Sequence, residues 1–153
     1  MSNNQKIWIF IIEQQVSEGQ LESIKKACLD FIHQWTSHDA PLKASFELFK
    51  NRLLIFKNDE SFNPIGGCAT DKLFHFIQKL EKEFNINLLN RQLVVYENNG
   101  ELKVESLDKI DELIQKGVIN ENTIIYDTSI NHSSEWDKFA RKFSESWLQH
   151  ILQ

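Results

Sequence analysis

The sequence predicts an α+β domain, and three observations carry that expectation. Two short runs, residues 7–12 and 53–56, are apolar at every position, as strands covered on both faces are. Two longer stretches, residues 21–35 and 73–84, repeat apolar side chains at the 3.6-residue spacing of a helix that buries one stripe. Around them lie a strand that alternates apolar with polar residues and further short hydrophobic runs bounded by turn residues.

Residues 7–12 form the first strand. Ser17 then offers an N-cap with Gln20 three positions on, the pairing in which each side chain satisfies an orphan amide of the other residue. Leu21, Ile24, Cys28, Phe31, Ile32 and Trp35 follow on one helical face, which places Cys28 in the core. After a loop through Pro41, Ala44, Phe46 and Leu48 alternate with Lys43, Ser45 and Glu47, a strand exposed on one face. A tight turn near Lys50-Asn51 returns the chain into residues 53–56. Pro64 and Gly66-Gly67 mark a loop before the second helix, whose apolar positions are Leu73, Phe76, Ile77, Leu80 and Phe84. Leu93-Val94-Val95-Tyr96 is the fourth strand. The order βαββαβ over residues 6–97 is the ferredoxin-like split-βαβ arrangement, with the first and third strands central and antiparallel. Right-handed crossovers place both helices on one face of that sheet.

Residues 98–153 are an extension that this core does not require. Asn99-Gly100 signals a hairpin between Tyr96 and residues 102–104. Ser106 caps a short helix carrying Leu107, Ile110, Leu113 and Ile114, which Gly117 ends. Residues 123–126 read as a strand, and Trp136, Phe139, Phe143 and Trp147 as the stripe of a C-terminal helix. No Gly-, Pro- or Ser-rich linker divides the 153 residues, so one domain is expected, the extension lengthening the sheet and covering part of its open face.

Composition narrows the function. The net charge of −5, with no block of Lys or Arg, argues against a nucleic-acid partner, which needs a concentrated basic surface. The apolar run at residues 7–12 is too short for a signal-peptide core or a membrane span, so no membrane partner is expected. Cys28 and Cys68 lie on different elements without C-x-x-C spacing, and a cytoplasmic location with reduced thiols follows.

Trp35-Thr36-Ser37-His38, residues 41–46, Gly67-Cys68 with Asp71-Lys72, and Ser146-Trp147 together resemble a bacterial family of similar length without an assigned activity. Its members often carry the label "ABC transporter ATPase". The label's chemistry is missing, because G-x-x-x-x-G-K-[ST] is needed for backbone amides to cradle phosphate and a hydroxyl to bind magnesium. Residues 66–73 read GGCATDKL, with no glycine before the lysine and Leu73 after it. Tyr96, Asn99-Gly100, Ser106-Leu107, Leu113-Ile114, Gly117-Val118-Ile119, Thr123 and Trp136 are also similar in spacing to a GYF-like module, which implies proline-rich peptide binding through aromatic residues. The Gly-Pro step and clustered tyrosines of such modules are absent.

In a βαββαβ topology one end of the sheet collects Trp35, His38, Asp59, Glu60, Gly66, Gly67, Cys68 and Asp71. Cys68 opens a helix after two glycines, where unpaired amides and the macrodipole favour an anion. With His38 as base and Asp59 or Glu60 as its orienter, a Cys-His-acid site could form, Cys68 and His38 being the catalytic pair. The same helix start could instead hold a phosphate or carboxylate, with Lys72 or Lys43 adding charge. His38, Asp59, Glu60 and Cys68 lack ligand spacing, so no metal and no cofactor are expected. The leading expectation is a non-enzymatic binding or adaptor protein that takes a small anionic ligand or a protein partner. The alternatives are a thiol-dependent enzyme or redox sensor using Cys68, and peptide binding through the GYF-like segment.

Overall fold

Local signals in the sequence set the element boundaries. The Ser17 hydroxyl accepts from the Gln20 amide at 3.2 Å while the Gln20 side chain accepts from the Ser17 amide at 3.3 Å, and α1 (Glu18–Gln34) starts there. The computed structural model describes residues 3–152; Met1, Ser2 and Gln153, the ends of the span expected as one domain, lie outside the described residues. The first part of the chain contains β1 (Gln5–Ile11), α1, the small hairpin strands β2 (Thr36–Ser37) and β3 (Ala40–Pro41), β4 (Ala44–Phe49), β5 (Leu53–Asp59) and α2 (Gly67–Phe84). Lys50 and Asn51, at φ 48° and 63°, make the turn between β4 and β5 with two left-handed residues, the turn whose twist matches a hairpin.

β1, β5 and β4 form one antiparallel sheet in that order, with β5 in the middle. The fourth strand expected beside β1 is not there. β6 (Leu93–Asn98) belongs to a second antiparallel sheet of order β7-β6-β8-β9, with β7 (Glu101–Ser106), β8 (Ile124–Tyr126) and β9 (Ala140–Lys142). The Asn99-Gly100 turn commits one edge of β6 to β7, and β8 takes the other through Val95 opposite Tyr126 and Tyr96 opposite Ile125. A strand has two edges, so none remains for β1. β1 is therefore an edge strand. Its outer edge is closed at both ends by irregular chain: Ile7 donates to the Asn131 carbonyl, and Glu13 beyond its last residue to that of Asn87, each at 3.0 Å.

The two sheets stack face to face, with helices outside. On one face of the first sheet, Trp8, Phe10, Leu54 and Phe56 pack with Ile24 and Cys28 of α1 and Leu73, Ile77 and Leu80 of α2, so both helices share that face. The other face presents Ile7, Ile9, Ile11, Leu53 and Ile55 to Leu93, Val95, Leu102, Tyr126 and Phe139 from the second sheet's side. The far face of the second sheet, Val94, Tyr96 and Ile125, is covered by Ile110 of α3 (Ile110–Gln115), Phe143, and Leu148 of α4 (Trp147–Ile151). The unbroken apolar runs thus reflect sheets covered on both sides. Gly117 at φ 73° ends the α3 segment: its amide donates to Ile114 and that of Val118 to Leu113, the paired bonds that a left-handed residue permits.

The single C-terminal helix expected from Trp136, Phe139, Phe143 and Trp147 is instead a 3-10 turn (Ser133–Lys138), β9, a second 3-10 turn (Phe143–Glu145) and α4. Phe139 enters the core between the sheets while Phe143 and Trp147 enter the core beneath α4. The spacing mimics one helical stripe although the side chains serve opposite faces of a sheet.

Phe139 carries much of the contact between layers, with its ring 5.1 Å from Tyr126, 5.3 Å from Phe49 and stacked at 4.5 Å on Trp136. Phe139→Ala is expected to lower unfolding free energy by about 3–5 kcal/mol in chemical denaturation. Glu97 adds a polar tie, accepting from Lys50 of the first sheet's hairpin and from the Tyr126 hydroxyl at 3.0 Å. Those two bonds, Lys50 first, hold its carboxyl below the ordinary range. A lowered folded-state pKa gives stability that is present above the unfolded-state value and lost as pH falls through the folded one. Glu97→Gln should therefore melt earlier than the parent at neutral pH, and the difference should close on acidification through the carboxylate range.

Candidate functional site

The β2–β3 hairpin turns on His38 and Asp39, both left-handed at φ 57° and 61°, a conformation that ordinary side chains adopt only where surroundings hold it. Those surroundings are visible. The Asn63 amide group donates to the carbonyls of Ser37, Ala40 and Pro41 at 3.0, 3.2 and 3.1 Å, stitching the following loop to the hairpin. The buried Ser37 hydroxyl accepts from the Gly66 amide at 2.9 Å. Trp35, 2 % exposed, donates its indole N–H to the Ala69 carbonyl at 2.9 Å. The hairpin and the first turn of α2 are one unit.

Gly66 is the N-cap of α2 and supplies no side-chain acceptor, and the first turn carries no acidic residue. The His38 ring lies where a side chain on residue 66 would begin: a Cβ there would stand 3.3 Å from both Cε1 and Nε2. Glycine thus lets the imidazole approach the helix start. The amides of Gly67, Cys68 and Ala69 precede the first intrahelical donor, Thr70, which bonds the Gly66 carbonyl at 3.1 Å; such leading amides have no partner within a helix. A cavity of about 280 Å³ opens here, walled by His38, Asp39, Gly66, Gly67, Cys68 and Lys72.

Five residues singled out in the sequence, His38, Gly66, Gly67, Cys68 and Lys72, therefore meet in one cavity. The others do not line it. Trp35 is a buried support, because its large ring packs against Trp8 and Phe31. Asp59 accepts from the Ser61 amide at 3.0 Å, and Glu60 accepts from Asn58 and from the Ile65 amide. Both carboxylates shape the loop through residue 66, and no carboxylate is hydrogen-bonded to His38 among the described residues. The Cys-His-acid arrangement is accordingly not assembled. Lys43 and Asp71 are exposed outside the cavity wall. Among the described residues, no group of three or more His, Cys, Asp or Glu could hold a metal ion.

Ser37, Asp39 and Asn63 were not legible as part of the site. Two-residue strands have no periodicity to read, and Asn63 reaches 22 to 26 positions back along the chain. Asn58 is also fully buried beside this loop, its amide group donating to the Asn63 carbonyl at 3.0 Å while its own oxygen has no partner among the described residues. A second cavity, of about 140 Å³, lies along the middle of the outer edge of β1 with Arg91, Asp127 and Trp147 on its walls.

No family model, no curated protein and no solved structure matches this chain. No helix among the described residues is long and apolar enough to cross a membrane.

The two free cysteines differ sharply in environment. Cys68 is exposed, whereas Cys28 is buried in the helix-side core and burial pushes its thiol up to about 12. Iodoacetamide at mildly alkaline pH should label Cys68 and spare Cys28 in the folded protein, and the contrast should disappear in denaturant, as read by mass spectrometry of the peptides.

Proposed function

We propose that this chain is a non-enzymatic binding or adaptor protein whose small-ligand site is the open first turn of α2, where a phosphate or carboxylate is held. The observation that carries this reading is the convergence of uncapped first-turn amides, the His38 imidazole and the Lys72 ammonium on one cavity. Backbone donors at a helix start suit an anion without requiring a bound metal. Asp39 on the same wall opposes a highly charged ligand and favours a singly charged group. The pattern β1-β5-β4 with both helices on one face supports a ferredoxin-like reading of the first three strands, with the fourth diverted. Two free thiols fit the reducing cytoplasm.

Exposure of Cys68 beside His38 favours a second reading, a thiol-dependent enzyme or redox sensor. Among the described residues no carboxylate is hydrogen-bonded to the imidazole, as an orienting partner would be. Peptide binding through the GYF-like segment has less support, since of its two aromatic residues Tyr96 is buried and Trp136, though exposed, stacks on Phe139.

Titration of the isotope-labelled protein with inorganic phosphate, and separately with acetate, tests the leading reading. Saturable amide shifts centred on Gly67, Cys68 and Ala69 are expected, weakened in Lys72→Glu. Shifts that are absent at millimolar anion, or scattered over the surface, would overturn it. Retention of binding with Cys68→Ser would separate anion recognition from thiol chemistry.

A further inference from the structure

We infer that the free edge of β4, together with the flank of α1, is a docking groove for an extended basic segment of a partner protein, which adds to the first sheet as a further strand. The inference is independent of the anion site. β4 pairs only with β5, through a register in which the Lys43 carbonyl accepts from Asp59 and the Phe49 carbonyl accepts from Arg52. Alternation along an antiparallel strand then turns the N–H and C=O groups of Ala44, Phe46 and Leu48 away from β5. Among the described residues these backbone groups have no hydrogen-bond partner. The edge presents three donors and three acceptors in the spacing that a peptide backbone matches.

The groove beside this edge has a volume of about 610 Å³. Its apolar wall is made by Leu21 and Leu29 of α1 and Phe46 and Leu48 of β4, all half-buried. Alternate apolar side chains of an added strand would lie on that wall. Glu18, Glu22 and Glu47 line it with Lys25 as the single opposing charge, which leaves an excess of two negative charges. That excess selects the occupant. A second copy of this chain would bring Glu47 and the same acidic helix face toward their own images, and like charges across paired strands are unfavourable. A segment with Lys or Arg between apolar residues meets both the wall and the rim.

The probe is a fluorescent eight-residue peptide alternating Lys and Val, compared with its Glu-Val counterpart, added to the full chain and followed by anisotropy and amide hydrogen exchange. The Lys-Val peptide should bind and slow exchange at Phe46 and Leu48, and the Glu-Val peptide should not bind. Ala44→Pro removes one outward donor without touching the ladder to β5 and should weaken binding. The triple reversal Glu18→Lys, Glu22→Lys, Glu47→Lys should weaken the Lys-Val peptide by about tenfold, as three exposed charge pairs imply, and admit the Glu-Val peptide. Thermal melts and far-ultraviolet circular dichroism establish that each variant is folded. Binding of the Lys-Val peptide that is indifferent to both changes, or protection at amides other than those of β4, overturns the inference. So does a dimer in sedimentation equilibrium that Ala44→Pro dissolves, because the edge would then be occupied by a second copy.

Discussion

The structure rests on one constraint: β1 and β5 are apolar on both faces and must be covered twice. Ile7, Ile9, Ile11, Leu53 and Ile55 point away from the helices and are at most 7 % exposed. Burying an aliphatic side chain of this size contributes about 1.5–3 kcal/mol, so the five together are comparable with the whole stability of a typical domain, about 5–15 kcal/mol. Two helices cover only one side. The second sheet is therefore required by the first, and its own far face in turn requires α3 and α4. The order of layers, helices, sheet, sheet, helices, follows from the composition of two strands.

That requirement also explains what was and was not legible in the sequence. Local signals held where chemistry is local: the Ser17–Gln20 capping box, the turns at Lys50-Asn51 and Asn99-Gly100, and the end of α3 at Gly117 all sit where the residue types place them. The mixed helix and antiparallel-sheet class followed from periodicity. Sheet membership did not, because Leu93-Val94-Val95-Tyr96 is apolar whichever sheet it joins, and only the competition of β7 and β8 for its edges decides the matter. The tail from Trp136 failed for a different reason. Intervals of three and four residues are shared by a helical stripe and by a strand flanked by tight turns, and burial of Phe139 and Phe143 on opposite faces distinguishes them.

The candidate site shows the same division. His38, the two glycines, Cys68 and Lys72 were legible because the order of elements brings the end of α1 and the start of α2 together. Asp59 and Glu60 share that end but are consumed by their own loop, accepting amides within five residues. Proximity in a topology diagram does not tell which way a carboxylate turns. The hydrogen bonds from Asn63 decide it, since they hold the loop against the hairpin and leave the cavity to His38, Cys68 and Lys72.

The order of the layers along the chain has a consequence for synthesis. β1, β4 and β5, with α1 and α2, are complete by Phe84; of the residues that cover the second face of that sheet, Leu93, Val95 and Leu102 follow soon after, whereas Tyr126 and Phe139 come more than forty residues later. At about 5–20 residues per second, the usual pace of a ribosome, the nascent first half waits several seconds with its oily sheet surface incompletely covered. A chaperone that shields such surfaces would have its natural substrate in that interval, and the finished protein would give no sign of it.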